Sequence, residues 1–193
     1  MSDILSGEHY AIYLLPLLLV VSLLSLLLLY RRRAVRGRSL SQVLSEIAFE
    51  RVDKLVIPNA DGGEIQIDHL LLTAQGILII DIKDVRGAVF GGDKMQDWTV
   101  ISENGRFTFS NPQPALFDRI AAVRRIVREV PVAGRILFLD GAEFTKGVPG
   151  LVSTLEELER EFGDVDQSAA KIKIEAFRQH WDTLNAKAVH AIE

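Results

Sequence analysis

Cysteine is absent from this chain of 193 residues, which excludes a disulfide framework and any thiolate-held zinc or iron–sulfur centre. Histidine is scarce, and His9, His69, His180 and His190 show no metal-ligand spacing. Lysine and arginine are missing from residues 1–30, and the stretch from Tyr10 to Tyr30 lacks charge of either sign. No internal repeat or low-complexity tract occurs outside that stretch. What is there next is the opposite: Arg31, Arg32, Arg33, Arg36 and Arg38 crowd five positive charges into eight residues.

An α-helix of the 21 residues from Tyr10 to Tyr30 would extend about 31 Å, close to the ~30 Å hydrocarbon thickness of a bilayer. Asp3 and Glu8 precede the apolar core and arginines follow it, the reverse of a cleaved signal peptide. Pro16, Ser22 and Ser25 are compatible with a membrane helix. The sequence therefore predicts an uncleaved anchor over residues 1–30 that meets the lipid bilayer through residues 10–30, then a basic juxtamembrane segment over 31–38. Basic clusters stay on the cytoplasmic side, so a single-pass protein of the inner membrane with its C-terminal domain cytoplasmic is expected.

Residues 39–193 are enough for one domain with a sizeable core and too few to favour two. They hold 17 basic and 24 acidic side chains, a net of −7, so bulk electrostatics will not coat this body with nucleic acid. Any such contact has to be local. Ser39 with Gln42 forms a capping-box pattern, and Leu40, Val43, Leu44, Ile47 and Val52 recur at helical spacing, predicting a helix from about Leu40 to Asp53 that carries Glu46. Leu55–Pro58 reads as a short strand. Turn residues at Asn59–Gly63 then lead to a hairpin of Glu64–Thr73 and Ile77–Lys83 around Ala74, Gln75 and Gly76.

Further on, Gly87–Phe90 reads as a strand, and Trp98–Ser102 with Arg106–Ser110 as a second hairpin around Asn104-Gly105. Pro112 and Pro114 open a helix with Leu116, Ile120, Val123 and Val127 on one face, and Arg135–Leu139 reads as a buried strand. Ser153 with Glu156 is expected to cap a helix to about Phe162, followed by another over Gln167–Leu184. This order of elements predicts an α/β fold with a mixed central sheet flanked by helices.

Chemistry concentrates in the first hairpin. Asp81 and Lys83 share a strand face, as do Gln66 and Asp68. A turn at Ala74–Gly76 pairs residues whose numbers sum to about 149–151, which sets Asp68 opposite Asp81, Ile82 or Lys83. Both acids are embedded in apolar runs, where an unpaired carboxylate costs several kcal/mol. Two such acids favour a hard cation such as Mg²⁺, with Lys83 placed to steady developing negative charge or orient a water.

Other residues carry less. His69 is adjacent to Asp68 and falls on the opposite strand face, as a hydrogen-bonded structural histidine. Gly91-Gly92-Asp93-Lys94 lacks the ending of a phosphate loop. Arg124, Arg125 and Arg128 fit a solvated helix surface, and Trp98 fits a packing role.

The run Glu64-Ile65-Gln66-Ile67-Asp68-His69, then Gly76-Ile77-Leu78-Ile79-Ile80-Asp81-Ile82-Lys83, then Gly87, Trp98 and Asn111-Pro112, resembles the nuclease-related domain, NERD, over roughly Ser39–Val130. That family is assigned to the PD-(D/E)xK superfamily, so the resemblance implies a restriction-endonuclease-like fold across 39–193, preceded by one N-terminal transmembrane helix of a kind familiar in the family. By position, Asp68 resembles the metal-binding aspartate, Asp81 the second acidic ligand and Lys83 the motif lysine. Glu46 resembles the acid of the N-terminal helix, with Ser45 in place of the usual glycine. Asp81 stands where most members have glutamate, and Ala115 where a glutamine is usual. The implied activity is Mg²⁺- or Mn²⁺-dependent hydrolysis of DNA phosphodiester bonds. The metal would be held by Asp68, Asp81 and the Ile82 carbonyl, with Glu46 as an outer ligand. The alternative is a catalytically inactive module that binds nucleic acid or a protein partner at the inner membrane, and a third is a structural membrane protein in which the acids are incidental.

Overall fold

The computed structural model describes residues 20–23, 25–26, 39–58, 62–163 and 167–190. Most of the expected anchor and all of the arginine cluster therefore lie outside the described residues. Val20–Leu23, Ser25 and Leu26 are helical, and among the described residues no helix is long and apolar enough to cross a membrane. Contacts divide the chain after Ser39, and the fold below is that of Leu40 onward.

The elements are α1 (Leu40–Ile47), β1 (Glu50–Pro58), β2 (Glu64–Thr73), β3 (Gly76–Lys83), β4 (Gly87–Phe90), β5 (Asp97–Ser102), β6 (Gly105–Ser110), α2 (Gln113–Ile126), β7 (Val132–Phe138), β8 (Ala142–Phe144), β9 (Val152–Ser153), α3 (Leu155–Phe162), α4 (Gln167–Lys187) and β10 (Val189–His190). They form a six-stranded sheet, β10-β1-β2-β3-β7-β9, and a four-stranded sheet, β6-β5-β4-β8. Both are mixed: β1, β2 and β3 run antiparallel in sequence, whereas β3 pairs with β7 in parallel. A parallel neighbour needs a long crossover, and here that crossover contains β4–β6 and α2.

Covering on both faces explains the apolar run of β3, whose first six residues are all buried. Ile77 and Ile79 join Leu70, Leu72, Leu116, Ile120, Val123 and Trp181 in one cluster beneath α2 and α4. Leu78 and Ile80 face the other way, with Leu71 and Leu137, against Val43, Leu44 and Ile47 of α1 and Leu158 and Phe162 of α3. The β2–β3 turn closes at Gly76, whose φ is +125° and where a Cβ would lie 2.3 Å from the Pro131 carbonyl oxygen, so only glycine fits.

Three expectations change. The first helix ends at Ile47 rather than Asp53, because the chain turns to join the sheet: the Phe49 N–H donates to Leu72 O at 2.8 Å, and Glu50–Asp53 extend β1 alongside β2. Val52 is partly buried as a strand residue, which its helical spacing had concealed. The later capping box falls one residue on, at Thr154 and Glu157, since Ser153 is still paired in β9 with Leu137. Three strands of two or three residues, β8, β9 and β10, carry too little pattern to be anticipated.

Candidate active site

The β2–β3 ladder runs from Thr73↔Gly76 to His69↔Ile80, so paired numbers sum to 149. Continued by one step, that count sets Asp68 across from Asp81. On β1 the corresponding position is Lys54, flanked by Asp53↔His69 and Leu55↔Ile67. The backbone is irregular there: Lys54 has a φ of +54°, in the left-handed region that costs a side-chain-bearing residue about 1–2 kcal/mol. Ile67 and Leu70, three apart, lie in the same buried cluster, as do Leu55 and partly buried Val52. The two-residue alternation thus slips by one in both strands at Lys54 and Asp68 while the register is kept.

Asp81 is the buried acid of the site, its side chain 4% exposed. A bare carboxylate at that depth is expensive, and two cations offset the cost. Arg119 Nη1 donates to Asp81 Oδ2 at 3.4 Å, and Lys83 Nζ lies 3.7 Å from the same oxygen. Arg119 is itself held by β2, its Nε donating to the Gln66 carbonyl at 2.8 Å. The Gln66 side-chain amide in turn donates to Asp68 Oδ1 at 3.4 Å. Arg119, midway along α2, thus ties the Gln66 backbone to Asp81 and Lys83 near the end of β3, while Asp68 joins this group through the Gln66 side chain.

Arg119 reaches the sheet because α2 sits close to it. Gly134 on β7 lies under that helix, and a Cβ there would be 2.8 Å from both Leu116 Cδ1 and Ile120 Cδ1. The arginine was missed in the sequence, where Arg124, Arg125 and Arg128 drew attention instead. The signal was present: Arg119 follows Leu116 by three and precedes Val123 by four, which places a charge within the apolar stripe of the helix. Arg124 has a local task, donating to Val132 O at 2.8 Å.

Of the expected site residues, Asp81 and Lys83 are in direct proximity, and Asp68 is linked to them through Gln66 and Arg119. Glu46 is not brought to them. It is exposed on α1, whose buried residues Val43, Leu44 and Ile47 pack on the sheet face with Leu78 and Ile80, away from the α2 side. Among the described residues no three His, Asp or Glu side chains converge as a metal-holding group. The donor set still suits a hard cation of Mg²⁺ type, which is commonly bound by one or two carboxylates and keeps several waters. Asp81 and the Ile82 carbonyl are oxygen donors of that kind on β3, and Asp68 is a carboxylate on the neighbouring strand.

His69 faces the other way, its Nδ1 2.7 Å from Asp53 Oδ1, and Arg51 Nε donates to the same oxygen at 2.6 Å. Partial burial works against the ionised Asp53, but the hydrogen bonds from Arg51 and His69 outweigh it and hold the carboxyl below its ordinary value. Trp98 is fully buried among Phe109, Phe138 and Phe144, and its indole N–H donates to Gly92 O, so the Gly91–Lys94 segment is fastened to the core. Asn111 supports the same loop, donating to Met95 O at 2.8 Å.

Comparison with known proteins agrees with the family resemblance. A family model described as "Nuclease-related domain" matches residues 37–139, just over half of the chain. The chain is also similar to an uncharacterized protein of Bacillus anthracis, 25% identical over 68 residues that make up 35% of this chain and 32% of that protein. The match thus spans about a third of that relative's own length. No solved structure matches.

Proposed function

The chain belongs to the nuclease-related domain family, and from that premise we propose that it is a membrane-anchored, Mg²⁺-dependent nuclease hydrolysing DNA phosphodiester bonds. The observation that carries this reading is Asp81: a buried carboxylate near the end of a central strand, flanked by Lys83 and Arg119 and one step beyond the last β2–β3 pair, His69 with Ile80. Asp68, Asp81 and the Ile82 carbonyl would hold the cation. When bound, Mg²⁺ or Mn²⁺ would supply Lewis-acid polarisation of a phosphoryl oxygen and a more acidic water.

In hydrolysis, water adds to phosphorus as one ester P–O bond breaks, and negative charge grows on the non-bridging oxygens. Lys83 and Arg119 are the groups of this chain that stabilise that charge, because their N–H donors already converge beside Asp81. Asp81, acceptor-only when ionised, holds both cations in place. The order of one helix, three antiparallel strands, a crossover helix and a parallel strand supports a restriction-endonuclease-like core within a 39–193 domain. The uncharged run over residues 10–30 and the arginines of 31–38 support a single-pass anchor in the inner membrane with the domain on the cytoplasmic side.

A noncatalytic module binding nucleic acid or a protein partner is the second reading. It is favoured by one fact, that both cations already occupy Asp81 Oδ2. Full-length protein in neutral detergent separates the two. Nicking of supercoiled plasmid with Mg²⁺ or Mn²⁺, lost in Asp81→Ala and Lys83→Ala variants that melt like the parent, is the expected result. Wild-type protein inert toward DNA with either metal would overturn the nuclease.

A further inference from the structure

The charges around Asp81 are layered. The carboxylate is sealed, 4% exposed, whereas Arg119 and Lys83 on either side of it are 21% and 31% exposed. An ion arriving from solvent therefore meets the two cations before it meets the acid. Their donors are in surplus: a guanidinium has five N–H groups and an ammonium three. Among the described residues, Arg119 meets two acceptors, Gln66 O and Asp81 Oδ2, and Lys83 meets Asp81 Oδ2 alone. The Arg119 contact to Asp81 is long at 3.4 Å, while its Nε contact to the backbone is short at 2.8 Å. Anchored at Nε, the guanidinium keeps the planar end that matches phosphate oxygens.

We infer that Arg119, with Lys83 beside it, forms a binding site for a backbone phosphate of DNA that works without a divalent metal. The inference rests on the nuclease reading of the same site and extends it: substrate is held by this chain's own cations, and metal is required for hydrolysis but not for capture. The net charge of −7 over residues 39–193 gives the site its importance, since the body as a whole repels a polyanion. Asp68 and Asp81 alone would repel it too. Arg119, fixed by the Gln66 carbonyl, converts the solvent side of the site from repulsive to attractive.

The test is fluorescence anisotropy of a labelled single-stranded DNA oligonucleotide with the full-length protein in neutral detergent and excess EDTA. Wild type is expected to bind, with affinity falling as salt rises. Arg119→Gln is expected to weaken binding about tenfold or more and to lower the salt slope by about one. Arg119→Lys keeps the slope but binds severalfold more weakly, because a point charge replaces the fork. Arg125→Gln, on the exposed side of the same helix, binds as wild type does. Melting curves accompany each variant, and if Arg119→Gln does not fold, Arg119→Lys decides: affinity equal to wild type overturns the assignment. So does absence of wild-type binding in EDTA, or an unchanged Arg119→Gln. Plasmid cleavage with Mg²⁺ is read on the same preparations. Binding that depends on Arg119 without any cleavage sinks the nuclease and keeps the phosphate site. Cleavage with a binding-neutral Arg119→Gln does the reverse.

Discussion

Glu50 and Asp81 each hold two nitrogen partners, and the contrast between them separates a fastening from a site. Glu50 gives one oxygen to each partner: Oε1 accepts from Arg178 Nη1 at 2.5 Å and Oε2 from the Trp181 indole N–H at 2.7 Å. It ties the start of β1 to α4 with both oxygens used. Asp81 offers a single oxygen to two cations at 3.4 and 3.7 Å, distances at the edge of or beyond a hydrogen bond. Yet Asp81 is the deeper of the two, with a side chain 4% exposed against 37% for Glu50. Packing alone would close the buried pair more tightly than the half-exposed one. The looser geometry at greater depth leaves donors available for a third participant, and that is what a binding site needs.

The comparison breaks first at Asp81. Asp81→Asn is expected to reduce plasmid nicking by at least about a hundredfold, the scale of removing one preorganised charged group, with a melting temperature close to that of the parent. Nicking retained within a few-fold would make Asp81 another fastening. Gly134→Ala comes next. Its Cβ would lie 2.8 Å from both Leu116 and Ile120 side chains, and overpacking of this kind costs about 1–3 kcal/mol. Denaturant unfolding should show that loss, and because α2 carries Arg119, nicking should fall with it. An unchanged stability would mean that α2 does not bear on the sheet at this point.

Glu50→Gln tests the other arm. Loss of a carboxylate from the Arg178 and Trp181 contacts should lower the melting temperature by roughly 2–4 degrees, what one net hydrogen bond is worth in a chain of this size, and leave nicking untouched. A variant that loses nicking at unchanged stability would place Glu50 in the site. Lys54→Gly acts in the opposite direction. Glycine adopts a φ of +54° without a Cβ penalty, and the relief of about 1–2 kcal/mol, less the extra chain entropy of glycine, leaves a gain below about 1 kcal/mol. Slower cleavage despite greater stability would show that the strain at Lys54, opposite Asp68, serves the chemistry.

The β2–β3 hairpin was legible because two signals agreed: apolar runs of strand length and a turn ending in glycine. Its pairing sum of 149 falls within the expected 149–151, and the ladder runs as far as His69 and Ile80, one step short of Asp68 and Asp81. The slip in alternation was not legible, because nothing in the string around Lys54 marks a left-handed residue, and lysine is an ordinary strand-edge residue elsewhere. Helix α1 was read too long because Val52 continues a helical spacing by coincidence, while pairing to Leu70 made it a strand residue. Glu46 was carried to the site on a family pattern, and the apolar face of α1 places it across the sheet instead. Arg119 was hidden by its company: it is one of four arginines between Arg119 and Arg128, and only its phase relative to Leu116 and Val123 distinguishes it.

Asp53 decides which part of the contrast matters. Like Asp81 it shares one oxygen between two partners, and like Glu50 it does so at short range, 2.6 Å to Arg51 and 2.7 Å to His69. If shared use of one oxygen marks a site, Asp53 belongs with Asp81; if slack distance does, it belongs with Glu50. Its carboxyl is held below the ordinary value by those hydrogen bonds, against the opposing effect of burial. A carboxylate whose folded pKa is lowered stabilises the fold above its unfolded pKa and loses that contribution as pH falls through the folded value. Asp53→Asn should therefore be slightly less stable than wild type at neutral pH, and the difference should vanish on acidification below the normal aspartate range. The effect is the smallest of the five because the side chain is 45% exposed and solvent screens the pair. A pH-dependent difference with nicking intact assigns Asp53 to the fastenings and leaves long contacts at depth as the mark of the site, whereas lost nicking with no pH-dependent difference would shift that mark to the shared oxygen.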